Sequence, residues 1–178
     1  MSNVYMTYKA PSDGGFFLKF ESDEPVKLRL CSEPYIFASS FTDKITGETK
    51  ISNKYAWGIW NYNEDSAQIL QLPVTGFRQI QALAQDPEYG DPSAYDLKIT
   101  RTGTGTSTKY SVIPSPNKSQ VTPEIKSATD KLDVGDIVKG IPLSQLVDGA
   151  AVPEPKVKDV VIEDMDENDK VDLNDIPF

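Results

Sequence analysis

The sequence predicts a mainly β domain, folded as a small five-stranded Greek-key barrel with one helix among its strands. Three observations favour this class. Short segments alternate apolar and polar residues with the period of half-buried strands, most clearly at 26–31 and 95–100. In the body of the chain only residues 73–85 repeat apolar side chains at helical spacing. Turns rich in proline, glycine and asparagine separate these segments, so each element is short.

The first strands show the alternation best. A turn-rich, flexible N-terminus at 1–14 precedes a short strand candidate at 16–20 (FFLKF). Residues 26–31 (VKLRLC) place valine and leucine on one face and the cations Lys27 and Arg29 on the other. We therefore expect a half-buried strand with two cations on its open face.

The middle of the chain contains the aromatic residues. Residues 35–38 continue the first strand or start the next, and the polar stretch 42–53 predicts a long loop. As a strand, residues 54–62 (KYAWGIWNY) separate the two tryptophans onto opposite faces. The more continuous apolar face is predicted to lie inside, which leaves two rings outside. The inner set is Tyr55, Trp57 and Ile59, and the outer rings are Trp60 and Tyr62.

The remaining elements complete an OB-fold order. A returning strand at 67–72 leads into a helix that begins at Pro73 and ends at Asp86-Pro87, and strands follow at 95–100 and 108–113. Three strands, one helix and two strands match the OB-fold, whose helix lies between its third and fourth strands. The predicted divisions are a flexible N-terminus (1–14), the OB-fold domain (15–116), a short helical appendage (117–148) and a linker with a disordered acidic tail (149–178).

Charge is distributed unevenly along the chain. The net charge is −9, yet residues 159–178 hold eight acidic side chains and one basic one, whereas residues 1–158 hold 19 acidic and 17 basic ones. A segment as acidic as the tail cannot bury enough apolar surface to order itself. The nearly neutral body can therefore carry a local basic face of the kind that nucleic acid needs.

Composition excludes several chemistries. One cysteine and no histidine rule out a disulfide framework, a Cys/His zinc site and any nucleophile activated by histidine. We expect no cofactor, no metal and no enzymatic activity, since a hydrolase would lack a credible catalytic set. No apolar run approaches the roughly 20 residues of a membrane span, so a reduced cytoplasmic location is expected.

Aromatic rings and cations together favour binding of single-stranded nucleic acid. Bases stack on exposed rings, and lysine or arginine in the same groove contacts phosphates. The hairpin at 101–109 (RTGTGTSTK) has a cation at each end and hydroxyls between them, and a loop in this position of an OB-fold contacts nucleic acid. The candidate residues are Lys27, Arg29, Phe37, Lys54, Tyr55, Trp57, Trp60, Tyr62, Lys98, Arg101, Lys109 and Tyr110.

The C-terminus has the features of a partner-binding motif. Asp175-Ile176-Pro177-Phe178 presents a ring, a carboxylate and a second apolar side chain on a stiffened backbone, with Asp172 just before it. This ending resembles the acidic tip of bacterial and phage single-stranded DNA-binding proteins, and residues 95–114 resemble a segment of the phage members. The resemblance implies an OB-fold that coats single strands and a tail that recruits replication and repair proteins of the polymerase, primase, helicase or recombinase class. Whether the chain forms a homo-oligomer stays open.

One alternative belongs to a different class. The chain could be an OB-like adaptor whose acidic tail binds a basic protein or mimics DNA, without a nucleic-acid groove of its own. The positions of the cations distinguish the two, because a DNA-binding protein gathers them in one groove and an adaptor scatters them among acids.

Overall fold

The computed structural model describes residues 15–21, 23–115 and 118–146. Within these ranges seven strands form one antiparallel sheet, which confirms the prediction of a mainly β fold. The strands are β1 (Pro25–Leu30), β2 (Tyr35–Thr42), β3 (Thr49–Asn61), β4 (Ser66–Pro73), β5 (Leu97–Thr102), β6 (Lys109–Pro114) and β7 (Ile141–Pro142). The helices are α1 (Val74–Gln85), α2 (Pro123–Asp130) and α3 (Val134–Val138).

The long strand β3 organises the sheet. It pairs with β4 along 54–61 on one edge. Its other edge is shared by two strands, because β2 pairs with 49–56 and β1 with 59–61. β1 continues the sheet to β5, and β5 forms a hairpin with β6. β1 and β2 therefore run in the same direction along one edge of β3, with residues 31–34 between them.

Two details of the predicted fold are wrong, and one alternative left open is decided. Half of the stretch 42–53 is strand and only 43–48 is loop, because β2 and β3 stay paired as far as Thr42 and Thr49. Residues 16–20 form a single bridge, from Phe17 to Ile69, instead of a strand. Tyr35–Thr42 is a strand of its own, which decides between the two alternatives for residues 35–38; when β1 and β2 are counted separately, α1 follows the fourth strand.

A short turn explains why the β2–β3 hairpin is longer than expected. The Asp43 carboxylate accepts a hydrogen bond from the Ile45 amide at 2.8 Å, and Gly47 takes a φ of +71° that favours glycine. Both faces of the hairpin end are exposed, so no apolar alternation marks these strands in the sequence.

The main core lies on the inner face of the sheet, under α1. Helix α1 follows Pro73, whose φ of −69° suits a helix start, and ends at Asp86 as predicted. Tyr55 stacks on Phe77 of α1 with ring centroids 3.9 Å apart. Apolar side chains from five strands and α1 fill the space between, namely Val26, Leu28, Leu30, Trp57, Ile59, Leu70, Leu72, Ile80, Leu97, Ile99 and Val112.

Gln79 of α1 protects the outer edge of β6. Its Nε2 donates to the Tyr110 carbonyl at 2.8 Å, and its Oε1 accepts from the Val112 amide at 2.9 Å. The side-chain amide thus makes the two bonds that a neighbouring strand would make. An edge satisfied in this way is less available for pairing with another chain.

The C-terminal helices cover the outer face of β3, and their presence confirms the short helices predicted here. Ala56, Ile69 and Val134 form a second buried cluster. A Cβ on Gly58 would lie 3.3 Å from Val134 Cγ2, so glycine permits this close approach. β7 then pairs with the start of β2, at Ile36. No helix among the described residues is long and apolar enough to cross a membrane.

Candidate nucleic-acid interface

A groove opens where the end of β4, the segment before β1 and the β5–β6 hairpin meet. We call it the cationic groove, and its volume is about 680 Å³. Its lining residues are Leu18, Lys19, Phe20, Lys54, Gln71, Leu72, Pro73, Arg101, Gly105, Thr108 and Tyr110. Among the described residues, the lining combines three cations with two aromatic rings and includes no carboxylate.

Backbone hydrogen bonds fix the first wall of the groove. The Leu18 amide donates to the Ile69 carbonyl at 2.9 Å, and the Asp23 amide donates to the Arg101 carbonyl at 2.9 Å. The segment between these bonds therefore spans from β4 to β5. It brings Phe20 against Tyr110 of β6, edge to face, with centroids 5.6 Å apart.

The β5–β6 hairpin forms the opposite wall. Gly103 has a φ of +75°, and a Cβ there would lie 2.5 Å from the Ser107 carbonyl oxygen, so the turn needs glycine. The Thr108 hydroxyl donates to the Gly105 carbonyl at 2.9 Å, which holds the next turn. The hairpin is thereby folded over the groove, with Arg101 at its base.

The electrostatics of the groove suit an anionic chain. Lys54 projects from β3 and Arg101 from β5, and both are half-buried. Neither forms a salt bridge with any residue in the described part of the chain. Cations without a carboxylate partner beside half-buried rings can contact phosphates while bases stack.

Two of the predicted cations lie elsewhere, and the prediction that Arg29 sits on an open face is wrong. Arg29 is only 5% exposed. Its Nε donates to the buried carboxylate of Asp96 at 2.8 Å, and its Nη2 donates to the Ser119 carbonyl at 2.8 Å. Lys27 pairs with the same carboxylate at 3.1 Å and lies 5.1 Å from the ring centre of Tyr62.

This network attaches the C-terminal segment to the sheet. The Ser119 amide donates to Asp96 Oδ2 at 2.8 Å, and its hydroxyl accepts from Lys27 Nζ at 3.0 Å. Burial by itself would raise the pKa of Asp96. The bonds from Ser119, Arg29 and Lys27 outweigh it and hold this pKa below its ordinary value.

Three predicted rings are also structural. Trp57 is 2% exposed in the main core, as its position on the inner face indicated. Tyr55 is half-buried against Phe77, and Phe37 packs beside the cluster around Val134. Trp57 cannot stack on bases without unfolding the core, so its assignment to the binding site is wrong. Tyr55 and Phe37 are half-buried and do not line the cationic groove.

The other predicted residues are accessible but lie outside the cationic groove. Trp60 on the outer face of β3 and Tyr62 in the turn just after this strand are both half-buried. Lys98 and Lys109 are exposed on β5 and β6. The structure thus brings together Lys54, Arg101 and Tyr110 from the predicted set. The predicted partner-binding residues Asp172, Asp175, Ile176, Pro177 and Phe178 lie outside the described residues.

Sequence reasoning missed Lys19 and Phe20. Both belong to the strand candidate 16–20, whose place beside the groove depends on the bridge from Phe17 to the distant Ile69. The sequence signal that could have found them is a ring next to a lysine ahead of β1. Local periodicity cannot show which distant strand such a segment meets.

Among the described residues, no cluster of three or more His, Cys, Asp or Glu side chains could hold a metal ion. Comparison of the chain with protein-family models, curated proteins and solved structures found no match.

Proposed function

We propose that this protein binds single-stranded DNA along the cationic groove. The observation that carries the proposal is the lining of that groove by Lys54, Arg101 and Lys19 beside Phe20 and Tyr110, with no carboxylate contributed by the part of the chain that the structure describes. Phosphates need cations, bases need rings, and here both occur in one open channel. The geometry moves the expected site away from the outer face of β3, which α3 covers near Gly58.

The chemistry of the lining favours binding without strong sequence preference. Every base has a face that can stack on Tyr110 or Phe20, whereas few uncharged polar side chains among the described lining residues could read base edges, namely Gln71, Thr108 and the hydroxyl of Tyr110. Contacts to the phosphate backbone of the DNA would then supply most of the binding affinity. The affinity would depend on salt concentration, because such contacts release counterions. Such a protein coats single strands rather than selecting a site.

The strand order supports a finer assignment of the fold as an OB-fold variant. If β1 and β2 are one strand interrupted at 31–34, the order becomes three strands, α1 and two strands. The first strand then pairs with both the second and the fourth, as in a Greek-key barrel. The segment 16–20 lies between β4 and β6, where such a barrel would close.

The C-terminal tail is proposed to recruit partners. Its acidic tip resembles the tip of bacterial and phage single-stranded DNA-binding proteins, whose partners belong to the polymerase, primase, helicase or recombinase class. On the same resemblance we propose a role in replication, recombination and repair in the bacterial cytoplasm. No enzymatic step is proposed for the chain itself.

One observation favours the alternative that the protein is an adaptor. Lys27 and Arg29 pair with an acid instead of joining the groove, so the cations are divided between two places. An adaptor would bind a basic protein through its tail and would not bind oligonucleotides at all.

A direct titration separates the two functions. A fluorescein-labelled oligo-dT of about 30 nucleotides is titrated with the full chain at low and moderate salt, and its anisotropy is followed. We expect binding that weakens with salt, and weaker binding to a duplex of the same length. Absence of binding to the single strand at low salt would refute the proposal and favour the adaptor.

A further inference from the structure

A second concave site lies along the middle of α1 and shares no lining residue with the cationic groove. We call it the apolar pocket, and its volume is about 570 Å³. It is bounded by α1, by the connection between β1 and β2, and by the turn before β5. Its lining residues are Leu30, Cys31, Ser32, Glu33, Pro34, Trp57, Phe77, Ile80, Gln81, Ala84, Asp91, Pro92, Ser93 and Leu143.

The floor of the apolar pocket is entirely hydrophobic. Its three buried lining residues are Leu30, Trp57 and Ile80, with exposures of 5%, 2% and 5%. Sites for small polar metabolites place polar groups among such residues to orient the ligand. A floor without them suits a plain aliphatic or aromatic group, which gains free energy by leaving water.

The charges of the apolar pocket lie on its rim and have one sign. Glu33 is exposed on the β1–β2 connection and Asp91 is exposed in the turn before β5, and the described lining residues include no lysine or arginine. Each carboxylate also supports its own loop. Asp91 accepts from the Ser93 amide at 2.9 Å, and Glu33 accepts from the Ser144 amide at 3.4 Å. Their charges repel phosphates and acidic segments.

We propose that the apolar pocket binds a segment of a partner protein that presents an apolar side chain flanked by lysine or arginine. The floor takes the apolar side chain, and the two rim carboxylates meet the flanking cations. This site shares no lining residue with the groove proposed for DNA. A protein of this kind would then have two partner surfaces that both favour cations, of which only the pocket also requires an apolar anchor.

The test uses a short peptide with a photoreactive benzoyl-phenylalanine between lysine pairs, mixed with the full chain. Because the tail is acidic, binding alone is not decisive, so cross-linked residues are identified by mass spectrometry. We expect cross-links to lining residues such as Gln81, Ala84 and Leu143. Cross-links confined to residues 159–178, or spread over the whole chain, would overturn the proposal.

Variants supply the matched comparison. Ala84→Arg adds bulk at an exposed helix position in the lining, together with a positive charge that repels the lysines of the probe. We therefore expect the cross-links to the pocket to be lost. Glu33→Gln with Asp91→Asn removes the rim charge while the asparagine keeps the cap of its turn, and affinity should fall about fivefold. Glu48→Gln with Glu88→Gln makes the same change outside the pocket. An equal loss of probe affinity in both double variants would mean that only the net charge of the protein matters. This result would contradict a specific binding site in the pocket.

Two further outcomes identify other occupants. If a peptide of residues 150–162, which contains Lys156-Val157-Lys158, displaces the probe as well as the probe itself does, the chain's own segment is the occupant and the partner proposal fails. If a glutamate-flanked probe cross-links equally well, the rim charges select nothing and the proposal also fails. Oligo-dT binding should be unchanged in every pocket variant, so this test does not depend on the DNA proposal.

Discussion

Arg29 and Asp96 hold each other inside the protein through two contacts to one oxygen. Arg29 Nε and Nη2 lie 2.8 Å and 2.6 Å from Asp96 Oδ1, and the carboxylate is fully buried. The same carboxylate accepts the Ser119 amide, which attaches the chain after β6 back onto the sheet. Arg29, which the sequence analysis assigned to DNA binding, therefore stabilises the fold instead.

Breaking this pair should cost stability rather than DNA affinity. Arg29→Met leaves the buried carboxylate without its main partner, and we expect the free energy of unfolding to fall by about 3 kcal/mol or more. Urea denaturation, followed by tryptophan emission, measures this. Lys98→Met is the matched control, because Lys98 is exposed on the neighbouring strand and should change stability by less than about 0.5 kcal/mol. Equal stability of the two variants would contradict the structural role.

The same pair should make stability depend on acid pH. The pKa of Asp96 is lower in the folded chain than the ordinary value of 3.8. The ionised pair therefore stabilises the folded state above that value, and this contribution is lost as pH falls through the lower, folded-state pKa. Asp96→Asn should be less stable at neutral pH and should lose less on acidification. Unfolding curves from about pH 5 to about pH 3 test this, and parallel losses in both proteins would contradict it.

Stacking in the groove should depend on Tyr110. Tyr110→Leu keeps an apolar side chain beside Phe20 but removes a ring, so we expect oligo-dT affinity to fall by about 1 kcal/mol or more, roughly fivefold. Phe41→Leu removes a 65% exposed ring from the β2–β3 hairpin, outside the groove, and should leave affinity unchanged. A larger loss in Phe41→Leu would place the DNA on the hairpin instead.

Tryptophan emission should respond little to DNA. Trp57 is buried in the core, and Trp60 does not line the cationic groove. Saturating oligo-dT should therefore change the emission only slightly while the anisotropy of labelled DNA rises. Strong quenching would place the bases against Trp60, on the outer face of β3, and would contradict the groove.

The acidic tail should compete with DNA. Truncation after residue 158 removes eight acidic side chains and one basic one, and we expect it to tighten oligo-dT binding at low salt. Deletion of Phe178 alone keeps these charges, so DNA affinity should stay the same while binding of the recruited partner is lost. Unchanged affinity after the larger truncation would contradict the competition.

The alternation of apolar and polar residues predicted which side chains share a face of a strand. It did not predict which other segments pack on that face. It correctly separated Trp57 from Trp60 and indicated a buried inner face. It could not show that Asp96, a distant residue, meets Arg29 on the other face, nor that α3 covers Gly58. Burial of an outer face depends on segments that fold back from elsewhere in the chain.

Only some of the residues that line the candidate site could be predicted from the sequence. Lys54, Arg101 and Tyr110 follow from rings and cations placed on strands, and the structure brings them together. Lys19 and Phe20 were not predicted, because a bridge to a distant strand determines where they lie. The exposed half of the β2–β3 hairpin was missed because exposed strands carry no apolar pattern.

The most direct measurement is the salt dependence of oligo-dT binding for two charge-matched double variants. Lys54→Gln with Arg101→Gln removes two groove cations, and Lys98→Gln with Lys109→Gln removes two exposed cations outside the groove. Each lost phosphate contact should lower the slope of log affinity against log salt by about 0.7. We expect a shallower slope and weaker binding only for the groove variant. Equal slopes in the two variants, or a shallower slope in the second alone, would contradict a DNA path through the cationic groove.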